Sequence, residues 1–487
     1  MKLKELLKEI SPISISGSLN KDIKQIAFHS KEVSSNSLFI ALKGHKHDGF
    51  DYIDEAIEKG AVAIISEKPV FQKKNGITYL QVKDAREAAG KLASAFYNYP
   101  AKYLNLIGIT GTNGKTTTAY LIATILKEMG KKVGIIGTIF YKYAEKTIPS
   151  SLTTPDPLNL HRLFKEMLSS GVSDVVVEVS SHGLYYQRVS GCQFQVAVFT
   201  NLSHEHLDFH QNMEDYFQSK KLLFTHYLSK NGYAIVNLDD PWGRRLLNEI
   251  NTPSLTYGLS PKATVWAEKP KFFLDGLEAN FHTPNGSFHL YSPLVGELNI
   301  LNLLAAIAVG ITLKIPIDII KNALTKAKAV PGRLERFFSN DINVFIDYAH
   351  TPDALEKALK TLRPLCKGRL ITVFGCGGNR DREKRPLMGK VASHLSDIVV
   401  ITDDNPRNEP SSQIIKDIEA GLDKRNYHII PNRREAIAWA IKNAKSGDII
   451  LIAGKGHEDY QIIGNKKYHL SDREEVIKNL KEYASSR

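Results

Sequence analysis

Short apolar runs alternate with helical patterns along almost the whole chain. Between Ile26 and Tyr99 the runs "SLFIAL", "AVAIIS" and "ITYLQV" alternate with "YIDEAIEKG" and "AREAAGKLASAFYNY", whose apolar residues recur at helical spacing. That alternation predicts a small βα layered domain, punctuated at its end by Pro100. A second alternation starts at "YLNLIGIT" and runs through "KKVGIIGT", "DVVVEVS" and "VAVFTNL". These runs are continuous and rich in β-branched residues, as strands buried on both faces of a parallel sheet are. After "LNILNLLAAIAVGITL" and the helical "DIIKNALTKA", the Pro-Gly pair of "AVPGRLERF" marks a connection. A third alternation follows, with strands "NVFIDYA", "RLITVFG", "DIVVITD" and "DIILIAG" and helices such as "PDALEKALKTL". The pattern predicts an α/β protein of three domains, 1–100, 101–330 and 331–487. The length of 487 residues agrees, because a single core stops growing at roughly 250–300 residues.

Composition narrows the class. With 43% hydrophobic and 24% charged residues the chain reads as an ordinary globular protein, and no apolar run approaches the ~18–20 residues of a membrane span. The N-terminal "MKLKELLKEISPIS" carries charges where a signal peptide needs an apolar stretch, and Cys192, Cys366 and Cys376 share no CxxC spacing. A cytoplasmic protein without membrane insertion is expected. The net charge of +12 fits a nucleic acid, an acidic membrane surface or a small polyanionic substrate equally well. The lysines are spread out, with no arginine-rich tail and no basic segment interleaved with aromatics, so a solvated lysine-rich surface explains the charge.

Candidate chemistry centres on "IGITGTNGKTTTAY", Ile107 to Tyr120. Placed after a strand and before a helix, Gly111, Gly114, Lys115 and Thr116 have the makings of a phosphate loop. Glycines let backbone N–H groups converge on phosphate oxygens, the helix N-terminus adds partial positive charge, the lysine reaches outer phosphates, and the threonine hydroxyl ligates Mg²⁺. The spacing is a variant: the standard pattern would put the first glycine at Ile109, one place after Gly108. "VVVEVSSHGL" ends a strand with Glu178, and "FTNLSHEHLDFH" carries His206 and Asp208 after another. Ligands of α/β sheets bind at the carboxyl ends of strands, so Thr116, Glu178 and His206 are expected to hold Mg²⁺ beside a nucleotide triphosphate.

Taken together, "GTNGKTTT", "TTPD", "EVSSHGL", "TNLSHEHLDFH", "LNILNLLAA", "PGRLE" and "DYAHTPDAL" closely resemble the Mur ligases, which make amide bonds in peptidoglycan precursors. The resemblance runs from about Ser30 to Asp472 and implies a three-domain architecture: a uridine-nucleotide-binding domain, a central parallel-sheet ATPase domain and a Rossmann-like C-terminal domain that binds the amino acid. "GCGGNRDREKRPLMG", "TDDNPRNEP" and "AGKGHEDYQ" look like the family member that adds meso-diaminopimelate to UDP-MurNAc-L-Ala-D-Glu. Its implied partners are these two small molecules with ATP and Mg²⁺, and no nucleic acid; it is expected to be a monomer. The implied reaction converts the D-Glu γ-carboxylate to an acyl phosphate, which the incoming amine attacks. Alternatives are a related ligase adding L-lysine, other amide ligases of the superfamily, which should lack the "DNPR" and "GKGHE" pair, and a phosphate-loop ATPase acting on nucleic acid, which would need stacking aromatics and a basic stripe.

Residue by residue, the resemblance assigns Thr112, Asn113, Gly114, Lys115, Thr116 and Thr117 to ATP, with Asn302 on the adenine side, Asp347 on the ribose side and Arg333 on the phosphates; Asn299 assists. Lys220 in "YFQSKKLLF" aligns with a lysine the family carries as a carbamate, which adds it to Thr116, Glu178 and His206 around Mg²⁺. Ser30, Gly44, His45, Thr153, Thr154, Ser180 and Arg188 match positions that touch the UDP-sugar peptide. Arg407 of Asp404-Asn405-Pro406-Arg407, with Arg380, is expected to grip the distal carboxylate of diaminopimelate, and Glu458 with Gly454 its ammonium. Arg407 alternatively pairs with Asp404 or Glu409 to shape its own loop. Two departures from the family stand out: His29-Ser30-Lys31 replaces Asp-Ser-Arg, and Glu205 replaces an aspartate.

Overall fold

The computed structural model describes residues 1–44, 47–206, 209–423 and 425–485; His45 and Asp208 lie outside them. Two compact units form. One comprises Met1–Trp266, Thr283–Gly286 and Asn302–Ile320; the other comprises Ala267–His282, Ser287–Leu301 and Lys321–Arg487.

The first unit contains two sheets. The smaller is built from β1 (Ser14–Ser16), β2 (Gln25–Ala27), β3 (Ser37–Ile40), β4 (Ala61–Ser66) and β5 (Thr78–Gln81) in the order β1-β5-β4-β3-β2. All its pairs are parallel except β1 with β5. The helix Ala85–Phe96 starts where Asp84 accepts the N–H groups of Arg86 and Glu87, and it buries a face of small residues including Ala85, Ala88, Ala89 and Ala93. Small residues allow a close approach: a Cβ on Gly90 would collide with Ser190 of the central sheet's connections. Gln187 seals the contact by donating to Asp84 at 2.7 Å.

The larger sheet holds β6 (Asn105–Thr110), β7 (Val133–Ile136), β8 (Phe140–Tyr143), β9 (Lys146–Pro149), β10 (Asp174–Glu178), β11 (Phe194–Phe199), β12 (Leu228–Asn237) and β13 (Ser254–Gly258). Their order is β13-β12-β11-β6-β10-β7-β8-β9, parallel from β13 to β7 and antiparallel at β8 and β9. The predicted runs are therefore β6, β7, β10 and β11, and β6 lies between β10 and β11. β14 (Val265–Phe273), which joins β13 through Val265 and Trp266, is followed by β15 (Gly276–Thr283) and β16 (Gly286–Ser292). No continuous apolar run announces these strands, because β14 is exposed or half-buried at most of its positions.

In the second unit β17 (Glu335–Ser339), β18 (Ile342–Asp347), β19 (Leu370–Phe374), β20 (Ile398–Ile401), β21 (Tyr427–Ile429) and β22 (Ile449–Ala453) form a sheet in the order β17-β18-β22-β19-β20-β21. Only β17 is antiparallel. Both faces are buried, with Phe345, Leu451 and Phe374 in one core and Ile346, Ile452 and Val373 in the other. That two-sided burial is why these strands read as unbroken apolar runs. β23 (Tyr460–Ile463) and β24 (Lys466–His469) make a separate hairpin. No helix among the described residues is long and apolar enough to cross a membrane.

Candidate active site

The loop between β6 and the helix Lys115–Glu128 is built for close approach. Gly114 caps the helix at φ +86°, a conformation open to glycine, and a Cβ there would strike the Asn302 carboxamide. Neighbouring β11 supplies the scaffold: the N–H groups of Thr112 and Asn113 donate to the backbone and side-chain oxygens of Asn201 at 2.8 and 3.0 Å, and Thr200 donates to the Asn113 carbonyl at 2.7 Å. Lys115 folds onto its own loop, donating to the carbonyls of Gly111 (2.9 Å) and Thr112 (2.8 Å). Thr117 is buried in the first helical turn, and Thr118 donates to Asn302 at 3.2 Å. A helix N-terminus with a lysine, a hydroxyl and a backbone too crowded for side chains is a phosphate cradle.

Thr116 and Glu178 meet at 2.8 Å, the hydroxyl donating. Because β10 lies beside both β6 and β7, Glu178 also accepts the N–H and hydroxyl of Thr138, each at 3.0 Å, from just beyond β7. The carboxylate is fully buried yet held by three donors. Hydroxyl and carboxylate oxygens are the hard ligands that Mg²⁺ takes, so this pair fits the cation. Lys220 and His206 stand in a second group. Lys220, fully buried on the helix Met213–Thr225, donates to the Gly111 carbonyl at 2.9 Å and lies 4.4 Å from the centre of the Tyr216 ring, which also neighbours the His210 ring at 4.9 Å and the His206 ring at 6.1 Å. Burial pushes the Lys220 amine well below its ordinary range, and the nearby Lys115 cation pushes it the same way. Among the described residues, no three His, Cys, Asp or Glu side chains form a cluster that could hold a metal ion.

A cavity of about 690 Å³ opens elsewhere in this unit, lined by Ser30, Gly44, Arg86, Tyr186 and Arg188 among others. Its size suits a small-molecule ligand. All of His29, Ser30 and Lys31 line it. Ser30 donates to Glu55 at 2.8 Å, and the guanidinium groups of Arg86 and Arg188 lie 4.7 and 5.5 Å from the Tyr186 ring centre. Arg188 connects the cavity to the Glu178 site: it donates to the Thr154 carbonyl at 3.0 Å, while the Thr154 hydroxyl donates to the Glu178 carbonyl at 2.9 Å and meets the Ser180 hydroxyl at 3.2 Å. Thr153 joins through Thr138, their hydroxyls 3.1 Å apart. A larger cavity of about 1100 Å³, lined by residues such as Glu87, Cys192 and Tyr227, contains none of the candidate binding or catalytic residues.

In the second unit most of the predicted residues lie at or after the carboxyl ends of adjacent parallel strands β18, β22, β19 and β20, whereas Arg333 precedes β17 and Asn299 lies on the helix Glu297–Thr312. Asp347, at the end of β18, accepts the N–H groups of Leu334 and Ala349, both at 2.8 Å; burial pushes its carboxyl up, against the pull of Arg333 and those N–H groups. Arg333 lies over the Tyr348 ring at 4.9 Å, while Glu335 pairs with Arg473 at 3.2 Å. Asn299 donates to the Val295 carbonyl. Gly454 approaches Asp404, whose carboxylate oxygen stands 2.9 Å from where a Cβ would be. Asn405 is buried and committed to the protein: it donates to Glu458 at 3.2 Å and accepts the Ile462 N–H at 2.9 Å. Lys455, fully buried, pairs with Glu458 at 3.1 Å. Arg407 holds φ +53° and donates to the Gly378 carbonyl at 2.9 Å; Pro406 and Gly378 touch, and Arg380 flanks the same turn. Behind these loops Arg433 and Asp472 form a buried two-point ion pair, both contacts 2.7 Å, and Arg433 also donates to the Ala453 carbonyl.

Comparison with known proteins bears on this geometry. Three family models match in chain order: the Mur ligase family catalytic domain over residues 22–97, the Mur ligase middle domain over 109–310 and the Mur ligase glutamate ligase domain over 332–456. The chain is similar to the UDP-N-acetylmuramoyl-L-alanyl-D-glutamate--2,6-diaminopimelate ligase of Geobacter metallireducens, 44% identical with 100% of this chain and 99% of the relative covered. The chain belongs to the Mur ligase family. Among solved structures, a UDP-N-acetylmuramoyl-L-alanyl-D-glutamate--2,6-diaminopimelate ligase superposes with a TM-score of 0.72 at 32% identity, covering 99% of each chain. MurF ligase from Thermotoga maritima in complex with ADP shares the fold, with a TM-score of 0.62 at 21% identity over 95% of this chain and 98% of that one.

Sequence reasoning missed three residues of this Mur ligase that brace the candidate residues, two in the first unit and one in the second. Thr138 ends "KKVGIIGT" at the carboxyl end of a parallel strand, which was a usable signal. Asn201 sits inside the quoted "TNLSHEHLDFH", but its role depends on β11 lying beside β6. Lys455 is in "AGKGHEDYQ", and lysine there reads as exposed until the structure buries it.

Proposed function

We propose that this Mur ligase joins meso-diaminopimelate to the γ-carboxylate of D-glutamate in UDP-MurNAc-L-Ala-D-Glu, using ATP, as a cytoplasmic monomer. The observation that carries the reading is the hydrogen-bonded line from Arg188 through Thr154 to Glu178 and Thr116, which joins an arginine-lined cavity to a phosphate cradle. In this reading residues 1–100 and the Arg188 segment hold the uridine diphosphate, residues 101–330 hold the triphosphate, and 331–487 hold the amino acid.

Lys115 and the helix N-terminus stabilise the outer phosphates, while Asn302, Arg333 and Asp347 bind the rest of the nucleotide. Thr116 and Glu178, with His206 and a carbamylated Lys220, would hold Mg²⁺, whose charge offsets that of the phosphate oxygens. The substrate carboxylate attacks the γ-phosphorus, giving an acyl phosphate and ADP. The amine then attacks the acyl carbon, and the tetrahedral adduct expels phosphate. No protein nucleophile takes part; the residues position and neutralise. Arg407 and Arg380 receive the distal carboxylate, and Glu458 the distal ammonium.

The test is phosphate release from ATP with UDP-MurNAc-L-Ala-D-Glu and competing amino acids. Diaminopimelate should be preferred over L-lysine by about 10⁴ or more, because lysine leaves Arg407 desolvated and unpaired. Arg407→Ala should lose that preference mainly by weakening diaminopimelate use. Equal incorporation of L-lysine by the native enzyme would reject the selector, and no phosphate release with either would reject the ligase reading.

A further inference from the structure

Arg407 has an acid two residues away, Glu409, that does not pair with it. Among the described residues no carboxylate forms an ion pair with Arg407; its guanidinium donates to the carbonyls of Gly378 (2.9 Å) and Asn405 (3.4 Å). Glu409 is engaged on its other side. Its carboxylate accepts the Asn379 N–H at 2.6 Å and pairs with Arg385 at 2.9 Å and Arg382 at 3.5 Å. Arg385, on the helix Lys384–Leu395, is fully buried; it also pairs with Asp417 at 2.8 Å and donates to the Gly377 carbonyl at 3.2 Å.

Gly377 locates what this arrangement protects. A Cβ there would lie 3.0 Å from an Arg407 guanidinium nitrogen and 3.5 Å from the Arg380 Cγ, so both arginine side chains pass one backbone point. Asn379 ties the two loops further by accepting the Asn408 N–H at 3.1 Å. A carboxylate released from Arg385 would remain tethered beside Arg407, and a tethered group acts at an effective concentration on the order of millimolar. It would compete with any carboxylate arriving from solution.

We propose that Arg385 is a specificity-determining positioning residue: by capturing Glu409 it keeps the Arg380–Arg407 pair open to the distal carboxylate of the incoming amino acid. The inference rests on the reading of Arg407 given under the proposed function. Arg385 does not touch substrate; it acts through Glu409.

Steady-state kinetics of the full chain test it. Arg385→Met should raise the KM for diaminopimelate by about tenfold or more with kcat nearly unchanged. The residual turnover of L-lysine, which brings no distal carboxylate, should not fall. Adding Glu409→Gln to Arg385→Met removes the internal competitor and should return the KM to within about threefold of the parent. A merely structural Arg385 predicts the opposite, a double variant as poor as the single one or poorer, and that result would overturn the proposal. If Arg385→Met does not fold, Arg385→Lys provides the same comparison, since an ammonium cannot span Glu409, Asp417 and Gly377 together. A native enzyme that does not prefer diaminopimelate would refute the reading of Arg407, whereas a native preference without restoration by Glu409→Gln refutes this inference alone.

Discussion

Lys115 and Lys220 place their ammonium nitrogens on one acceptor, the carbonyl oxygen of Gly111, each at 2.9 Å. Two cations on one carbonyl repel, and burial of Lys220 adds to the cost of its charge. Loss of the Lys220 proton relieves both penalties and leaves a neutral amine, the form from which a carbamate would be made. The carbamate so formed would be an anion beside Lys115. Lys220→Ala is expected to lose most ligase activity and to regain part of it when a short carboxylic acid is added. Full activity in the untreated variant would sink the idea.

Lys115→Ala tests the other half of the pair. Lys115→Ala gives up the two bonds to the Gly111 and Thr112 carbonyls, but the cradle keeps its bonds to Asn201 and Thr200, so the fold should persist while the charge against the outer phosphates is gone. Turnover at saturating ATP should fall on the order of 10²-fold or more, with an unchanged circular dichroism spectrum. Near-normal turnover would contradict the assignment.

Glu178 accepts three hydrogen bonds while buried, so Glu178→Gln keeps shape and most contacts but removes the negative charge. Activity should drop about 10²-fold, and the Mg²⁺ concentration giving half-maximal rate should rise. Thr138→Val, which deletes one donor to the carboxylate, should shift that midpoint less. An unchanged Mg²⁺ dependence in Glu178→Gln would remove the carboxylate from the metal site.

His161 predicts how stability depends on pH. Its Nε2 sits 3.1 Å from the Ser190 carbonyl and its Nδ1 is buried without a partner, so a second ring proton would have no acceptor. Burial lowers its pKa from 6.5 to about 4. The unfolded chain therefore takes up the proton first, and stability that is full above pH 6.5 is lost as pH falls toward 4. This one group should cost about 2 kcal/mol between pH 7 and about pH 5. In urea titrations, the stability gap between the native protein and His161→Gln should narrow by that amount at the lower pH. A gap independent of pH would show that His161 does not carry the effect.

The phosphate loop was legible because everything that defines it is local: a strand, glycines, a lysine and a helix within fourteen positions, Ile107 to Tyr120. Glu178 was legible for a similar reason, as a carboxylate ending an apolar run. Their contact was not, since it requires β10 to pair with β6, and strand order follows from crossover packing rather than from either segment. The engagement of Glu409 was equally hidden. Spacing along the chain offered Asp404 and Glu409, and only the fold brings Arg385 to Glu409 first.

By itself the sequence determined the buried strands, their helices and the chemical groups they carry, though not the strands β14 to β16, because hydrophobic period, turn residues and the glycine-lysine-threonine loop are properties of short segments. Tertiary structure alone decided which charges meet. Arg433 and Asp472, Lys455 and Glu458, and Arg385 and Glu409 each combine into a pair whose burial sets its strength, and burial is a property of the packed sheet and its helices. The dielectric around an ion pair and the company it keeps are fixed by residues distant in sequence, so neither can be read from the segment that carries the charge.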